Sequence, residues 1–255
     1  MKKRLIYFIT LSLLVQLSAF GWGKTGHRVV GQIAWNHLSK KAQKNVQKAL
    51  GDESLAIVGN WMDFIRSDKS YDSLKTWHYC TVPDSLTYAE VGAPESGDVV
   101  MAIEKFQQEL ITGNYSVNEV FALKCLVHLV ADVHQPLHVG NGKDRGGNSV
   151  KVEFFGRNSN LHRVWDSEII DGEQLSYTEY ANWIDVATKD QVDLWQSETL
   201  LDWVAESKAC HPQVYNFPEN GSLGYRYIFD NIALVNQRLL QAGIRLSGIL
   251  QAIYG

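Results

Sequence analysis

Apolar positions along this chain recur mostly at helical spacing. Val30, Ile33, Ala34, Trp35 and Leu38 form one stripe from His27 to Leu38, which predicts an amphipathic helix. Ser39 suits the N-cap of a second helix over Lys40–Leu50, closed by Gly51. Asp52–Arg66 reads as a third helix, with Asp63 and Arg66 three apart and able to point one way. Residues 83–97 carry two prolines and read as a loop. Ser96-Gly97-Asp98 then opens a helix with Val99, Ile103, Phe106 and Leu110 on one face. Val117–Val133 is apolar almost throughout, the pattern of a central helix, and Pro136 disfavours helix at Gln135. Val150–Phe155 alternates instead, predicting a short strand in a small β-hairpin after Gly146-Gly147. Tyr177–Lys208 and Gly224–Ile253 supply the last helices. Arg226, Asp230, Arg238 and Arg245 mark the final stretch as amphipathic rather than membrane-spanning. Of the tryptophans, Trp35, Trp183, Trp195 and Trp203 lie in apolar stripes and read as core. The chain is expected to be mainly α, a single-domain helical bundle with a small β-hairpin.

The amino terminus has a different composition. Lys2, Lys3 and Arg4 precede an apolar run from Leu5 to Leu17, and small residues flank a cut after Gly21. This is the layout of a secretory signal peptide, with a retained membrane anchor as the competing reading. The expected division is therefore a signal peptide over 1–21 and one domain over 22–255. The mature protein would be periplasmic or secreted, without stable membrane association. Losing three cations and no acid would lower the formal charge from −4 by three further units. So acidic a chain argues against a broad electrostatic grip on duplex DNA. Phosphate chemistry stays open, since bound divalent cations dominate local charge. Three cysteines (Cys80, Cys125, Cys210) allow one bridge at most, and no CxxC pair suggests a zinc site.

The polar residues inside the apolar central stretch change the picture most. His128 and Asp132 lie four apart, one turn above each other, and can close on one metal ion. His134 and His138 follow, His138 beyond the helix break. His162 and Asp166 repeat the same spacing. Trp61-Met62-Asp63-Phe64-Ile65-Arg66 and Trp77-His78-Tyr79 add a carboxylate and an imidazole, each beside a tryptophan. One such pair is weak evidence; two pairs with these additions point to a multinuclear metal site, with Trp61, Trp77 and Trp165 as candidate walls. Cleavage after Gly21 would free an amine on Trp22, titrating near pH 8, roughly, and able to chelate metal with its own carbonyl. His27 lies near enough in sequence to join the same ion. A frayed terminus with a buried tryptophan is the plain alternative. Lys24, Arg66 and Lys151 are the candidate cations for a polyanionic substrate.

Taken together, Trp-Gly-Lys-Thr-Gly-His at 22–27, the WMDFIR and WHY segments, HLVADVHQPLH, RGGN and NLHRVWD resemble the zinc-dependent, single-strand-specific nucleases of fungal and plant type, the S1/P1 nucleases. The resemblance runs from Trp22 to the closing helix. It implies an almost all-helical fold shared with bacterial zinc phospholipases C, and three zinc ions. By resemblance, Asp63, His78, His128 and Asp132 hold one zinc, and His138, His162 and Asp166 a second, more open one. Trp22, His27 and a bridging Asp132 hold the third. It further implies hydrolysis of single-stranded DNA and RNA to 5′-phosphate products, with 3′-nucleotides as additional substrates. Asp63 and Arg66 stand as the catalytic residues, although Arg66 could equally pair with Asp63. Tyr79 lies where relatives stack an unpaired base, and Asn148 supports the cleft or merely a turn. His134 either supports a ligand carboxylate or makes a core hydrogen bond. A monomer is expected. The rival readings are a zinc phospholipase C of the same fold and a zinc-binding protein without turnover.

Overall fold

Residues 21–255 are described by the computed structural model, so the leader expected over 1–21 lies outside them except for Gly21. The elements run α1 Lys24–His37, α2 Lys40–Leu50, α3 Leu55–Val58, α4 Trp61–Ile65, a 3-10 segment Lys69–His78 and β1 Cys80–Thr81. Then come α5 Tyr88–Val91, α6 Val99–Thr112, α7 Glu119–Val133, a 3-10 turn Pro136–His138, β2 Val139–Gly140, β3 Lys151–Phe154 and β4 Arg157–Asn160. The chain continues through α8 Leu161–Arg163, a π segment Val164–Glu168, α9 Ile169–Gly172, α10 Tyr177–Ile184, α11 Lys189–Ser197 and α12 Leu200–Ala209. It closes with α13 His211–Val214, β5 Ser222–Leu223 and α14 Tyr225–Tyr254. The fold is mainly α, as the periodicity predicts.

Local chemistry sets the helix starts. Ser39, Asp98 and Asn118 each accept a backbone N–H at the head of α2, α6 and α7, meeting donors that a helix leaves unpaired. Helix α7 is buried from Ala122 to Val133 and lies at the centre, packed against α6, α14, α4 and α1. Long α14 also carries α1 along much of its length. Their approach is close: a Cβ on Gly243 would fall 2.5 Å from Ile33 Cγ2. The hairpin pairs β3 with β4 antiparallel, and β5 adds a third, parallel strand that the sequence pattern does not reveal. A two-residue parallel pair, β1 with β2, ties Cys80 to Val139. All three cysteines are free, so no bridge forms among them.

The structure differs from the sequence expectation in four places. The helix expected over 52–66 is two short helices, broken at Gly59-Asn60, because the Gly59 carbonyl turns away to accept from His128 Nδ1 at 2.6 Å. The expected loop 83–97 contains the single turn α5, held by a Thr87–Glu90 capping box. Trp183, expected in the core, is 49% exposed and sits on the outer face of α10. Arg238 and Arg245, expected to mark a polar face, are almost fully buried.

Those two arginines are paired in the interior. Glu206 accepts from both, at 2.6 Å from Arg238 and 2.7 Å from Arg245, and Glu198 also pairs with Arg245. Arg238 donates further to the His134 carbonyl at 3.1 Å and to Ser207 Oγ at 2.7 Å. Removing one partner of such a group leaves charge uncompensated in a low-dielectric surrounding. Glu206→Ala is therefore expected to destabilise the fold by about 3 kcal/mol, read as a lower urea midpoint with little change of slope.

Candidate metal centre

Seven side chains predicted from sequence as ligands converge around Asp132, which is fully buried near the end of α7. Its Oδ2 lies 2.9 Å from His78 Nδ1 and 3.1 Å from His128 Nε2. Its Oδ1 lies 3.2 Å from His27 Nε2 and 3.8 Å from His138 Nδ1. The carboxylate thus faces different imidazoles with its two oxygens, the arrangement a bridging ligand needs. Three groups have ligand atoms close enough to share an ion: His27, His128 and Asp132; Asp63, His78 and His128; His138, His162 and Asp166. The second pair keeps its helical spacing, with His162 Nε2 at 3.2 Å from Asp166 Oδ2, across a π segment that reorients Asp166.

Backbone carbonyls fix the imidazoles. His128 Nδ1 donates to Gly59, His138 Nδ1 to His78 at 2.5 Å, and His162 Nδ1 to Gly146 at 2.5 Å. A ring that donates through Nδ1 presents the Nε2 lone pair, and such outer hydrogen bonds orient metal-binding histidines. Gly146 has φ +59°, and a Cβ there would fall 2.3 Å from the Leu137 carbonyl oxygen, so only glycine supplies this acceptor without strain. Gln135 donates to Asp166 Oδ1 at 2.5 Å and orients that carboxylate. Sequence reading misses Gln135, whose position just before Pro136 reads only as a helix end.

Electrostatics show why a bare cluster wants a cation. Burial alone would raise the Asp132 carboxyl, but the facing His128 and His138 imidazoles outweigh it and hold it well below the usual carboxylate range. Burial also works against the charged form of His128, yet the Asp132 charge lifts its pKa to about 9. For Asp166 burial prevails: with the Asp132 and Asp63 charges it pushes the carboxyl well above the usual range, against the Gln135 hydrogen bond and the Arg66 charge. His27 Nε2 and Asp132 Oδ1 are buried without a hydrogen-bond partner although they face each other. Unpaired buried polar atoms of this kind are costly. A divalent ion with nitrogen and oxygen ligands resolves the mismatch, and the donor set is of the type zinc takes. The residues fit the metal.

The remaining candidates are placed as follows. Trp22 is fully buried and its backbone stands at the same group: a Cβ on the preceding Gly21 would fall 1.6 Å from Asp132 Oδ1 and 3.1 Å from His27 Cε1. Arg66 Nη1 lies 3.4 Å from Asp63 Oδ1 and also lines a cleft of about 360 Å³. The same cleft is bordered by His78, His138 and His162, by half-exposed Tyr79, and by Asn148. Asn148 also holds its turn, donating to the Arg145 carbonyl at 2.9 Å. Lys75 and Arg145 add cations to this rim that sequence reading did not single out, whereas Lys151 lies outside it on β3. His134 supports no ligand carboxylate: its Nδ1 bonds the Val130 carbonyl and its Nε2 accepts from Arg245 at 2.8 Å. Its core alternative holds, and burial and the two arginine charges keep it neutral, its pKa well below the usual range. Trp77 walls α6 rather than the metals, donating to the Ser96 carbonyl and packing on Phe106.

Comparison with known proteins finds relatives along most of the chain. The model of the S1/P1 Nuclease family matches residues 22–255. Endonuclease 4 of Arabidopsis thaliana is 30% identical over 97% of this chain and 95% of its own. Endonuclease 2 of the same plant is 29% identical over 92% and 91%. Nuclease P1 of Penicillium citrinum is 31% identical over 62% and 63%. Among solved structures, the alpha toxin from Clostridium absonum covers 93% of this chain and 66% of its own at TM-score 0.45 and 15% identity.

The charge states give a direct test of metal binding. His128, whose pKa the Asp132 charge lifts to about 9, must release its proton to serve a metal. Zinc added to the metal-free protein should therefore release protons, with affinity rising as pH is raised towards 9. Calorimetry in buffers of different ionisation enthalpy reads the proton count, and a count of zero would contradict the ligand set. Asp132→Asn should weaken the tightest binding by at least tenfold.

Proposed function

The chain belongs to the S1/P1 nuclease family, and from that premise we propose that it is a zinc-dependent endonuclease cleaving single-stranded DNA and RNA to 5′-phosphate products, with 3′-nucleotidase activity. The observation that carries the reading is the convergence of three His/Asp groups on one buried carboxylate beside a cleft with an arginine. Asp63, His78, His128 and Asp132 would hold one zinc, His138, His162 and Asp166 a second, and His27 with Asp132 a third. When bound, zinc supplies Lewis-acid chemistry, polarising a phosphoryl oxygen and lowering the pKa of water to about 7.

The protein's own residues do the rest. Arg66 offers a guanidinium beside Asp63, placed to neutralise charge growing on the phosphoryl oxygens. Tyr79, 46% exposed at the cleft rim, stacks an unpaired base, worth about 1–3 kcal/mol and indifferent to sequence. Bases held in a duplex cannot reach it, which gives single-strand preference. Asn148 and Gly146 also line the cleft. Arg145 and Lys75, the latter paired with Asp72, line the same cleft and offer local cations within an otherwise acidic protein.

Removal of residues 1–21 completes the site. The Trp22 amine freed by that cut would arise against Asp132 and His27, where the Gly21 backbone now lies. The mature protein is exported and monomeric in this reading, and among the described residues no helix is long and apolar enough to cross a membrane.

Three measurements test this. Protein beginning at Trp22 should degrade single-stranded DNA in preference to duplex, with 5′-mononucleotides released and activity abolished by chelation and restored by zinc. Protein that retains Gly21 should bind its third zinc at least tenfold more weakly; equal stoichiometry and affinity for both forms would remove Trp22 from the ligand set. Arg66→Ala should lower kcat by about 100-fold with little change in zinc content. Zinc-loaded protein that cleaves no nucleic acid would overturn the proposed activity.

A further inference from the structure

The metal centre has two open sides, and the reading above uses one of them. Arg66 and Tyr79 border the first cleft. Asp63, one helical turn before Arg66, instead faces a second cavity of about 690 Å³ between the start of α1 and helix α4, lined by Lys24, Arg28, Trp61 and Phe64. We propose that this cavity is a subsite for the nucleotide on the other side of the scissile phosphate from Tyr79, its base stacked on Phe64 and its outer phosphate met by Lys24 and Arg28. The proposal rests on the nuclease reading.

A phosphodiester has two ester arms. A phosphate met by Arg66, beside Asp63, sends one arm into the Tyr79 cleft and must send the other elsewhere. The second cavity begins at the same carboxylate. Phe64 is 82% exposed and follows Asp63 directly, so its backbone position is tied to the metal centre. A lone exposed aromatic is ordinary; one beside a buried metal-type carboxylate and two cations is the composition of a single-strand stacking platform. Trp61 serves as a fixed wall, since its ring packs edge-on against Tyr71 and Phe121. Phe64 is left as the ring that can take a base.

Charge agrees. Lys24 and Arg28 are four apart on α1 and share a face. With its amide turned to suit both neighbours, Asn60 at the head of α4 would accept from Arg28 Nε at 3.2 Å and donate to the Lys24 carbonyl at 3.3 Å. Of the cavity's other acids, Glu53 is paired with Lys124, and Asp171 accepts from Thr25 Oγ1 at 2.7 Å. With Glu53 paired, Lys24 and Arg28 stand against Asp171 and the metal-facing Asp63, and they are the cations of this lining that can meet a phosphate.

The test compares thymidine 3′-monophosphate, which reaches only one side of the centre, with a short oligothymidylate, which spans both. In Phe64→Ala the ratio of kcat/KM for the oligomer to that for the monophosphate should fall about tenfold, and Phe64→Trp should restore it. Tyr79→Ala should leave the ratio within about twofold. Anisotropy of a fluorescein-labelled tetrathymidylate on chelated protein should show the same loss of affinity for Phe64→Ala and Lys24→Gln, independent of turnover. An unchanged ratio and unchanged affinity in an active enzyme would overturn the subsite alone. Wild-type protein without activity would overturn the nuclease reading, and the binding measurement would still decide the subsite.

Discussion

A carboxylate buried among imidazoles governs this molecule. Asp132 has no exposed surface, yet both its oxygens face histidines that arrive from separate parts of the chain: His27 on α1, His78 at the end of a 3-10 segment, His128 on its own helix, His138 beyond Pro136. Burying an ionised group without compensation is strongly unfavourable. The fold accepts it because the facing groups offset the charge and because the donor set suits divalent metal. Each helix that supplies a ligand-type side chain, His27 on α1 and Asp63 on α4, must therefore bring it to the depth of Asp132 on α7.

That constraint explains which parts of the site are legible in the sequence. His128 with Asp132 and His162 with Asp166 stand out because helical spacing turns a pattern of letters into a shared direction. His27, His78 and Asp63 carry no such spacing to one another, and only the quoted motifs join them to the rest. Gly59 and Gly146 were invisible as functional residues. Both act through a carbonyl that accepts from a histidine, and sequence does not say where a main-chain oxygen points. Gln135 was hidden for a related reason: beside Pro136 it reads as the end of a helix, while its amide holds Asp166.

Charged residues in apolar helices were the least predictable feature. Arg238 and Arg245 looked like the polar face of α14, and lie instead in the interior with Glu206 and Glu198. Periodicity distinguishes two faces of a helix but does not say whether a second helix with matching acids covers the polar one. His134 shows the same ambiguity. Its place between Asp132 and His138 suggested metal chemistry, yet its side chain faces Arg245 on the opposite side of the helix end from Asp132.

This opposition gives α7 two anchors. At its C-terminal end Asp132 looks towards the metal groups, while the His134 ring and carbonyl are fastened to the α14 arginines. The arginine cluster and the metal groups therefore hold the same two turns of chain from opposite sides. A cation drawn to Asp132 gains from a helix end that cannot retreat, and the buried arginines gain acceptors that the break at Gln135 leaves turned towards them. Stability and chemistry are coupled through those residues, which is why a change at Glu206, remote from the cleft, loosens the ground on which the ligands stand. Asp63 is held differently: it lies on the short helix α4, whose Trp61 packs edge-on against Tyr71 and Phe121, and it pairs with Arg66 at 3.4 Å where the two cavities meet.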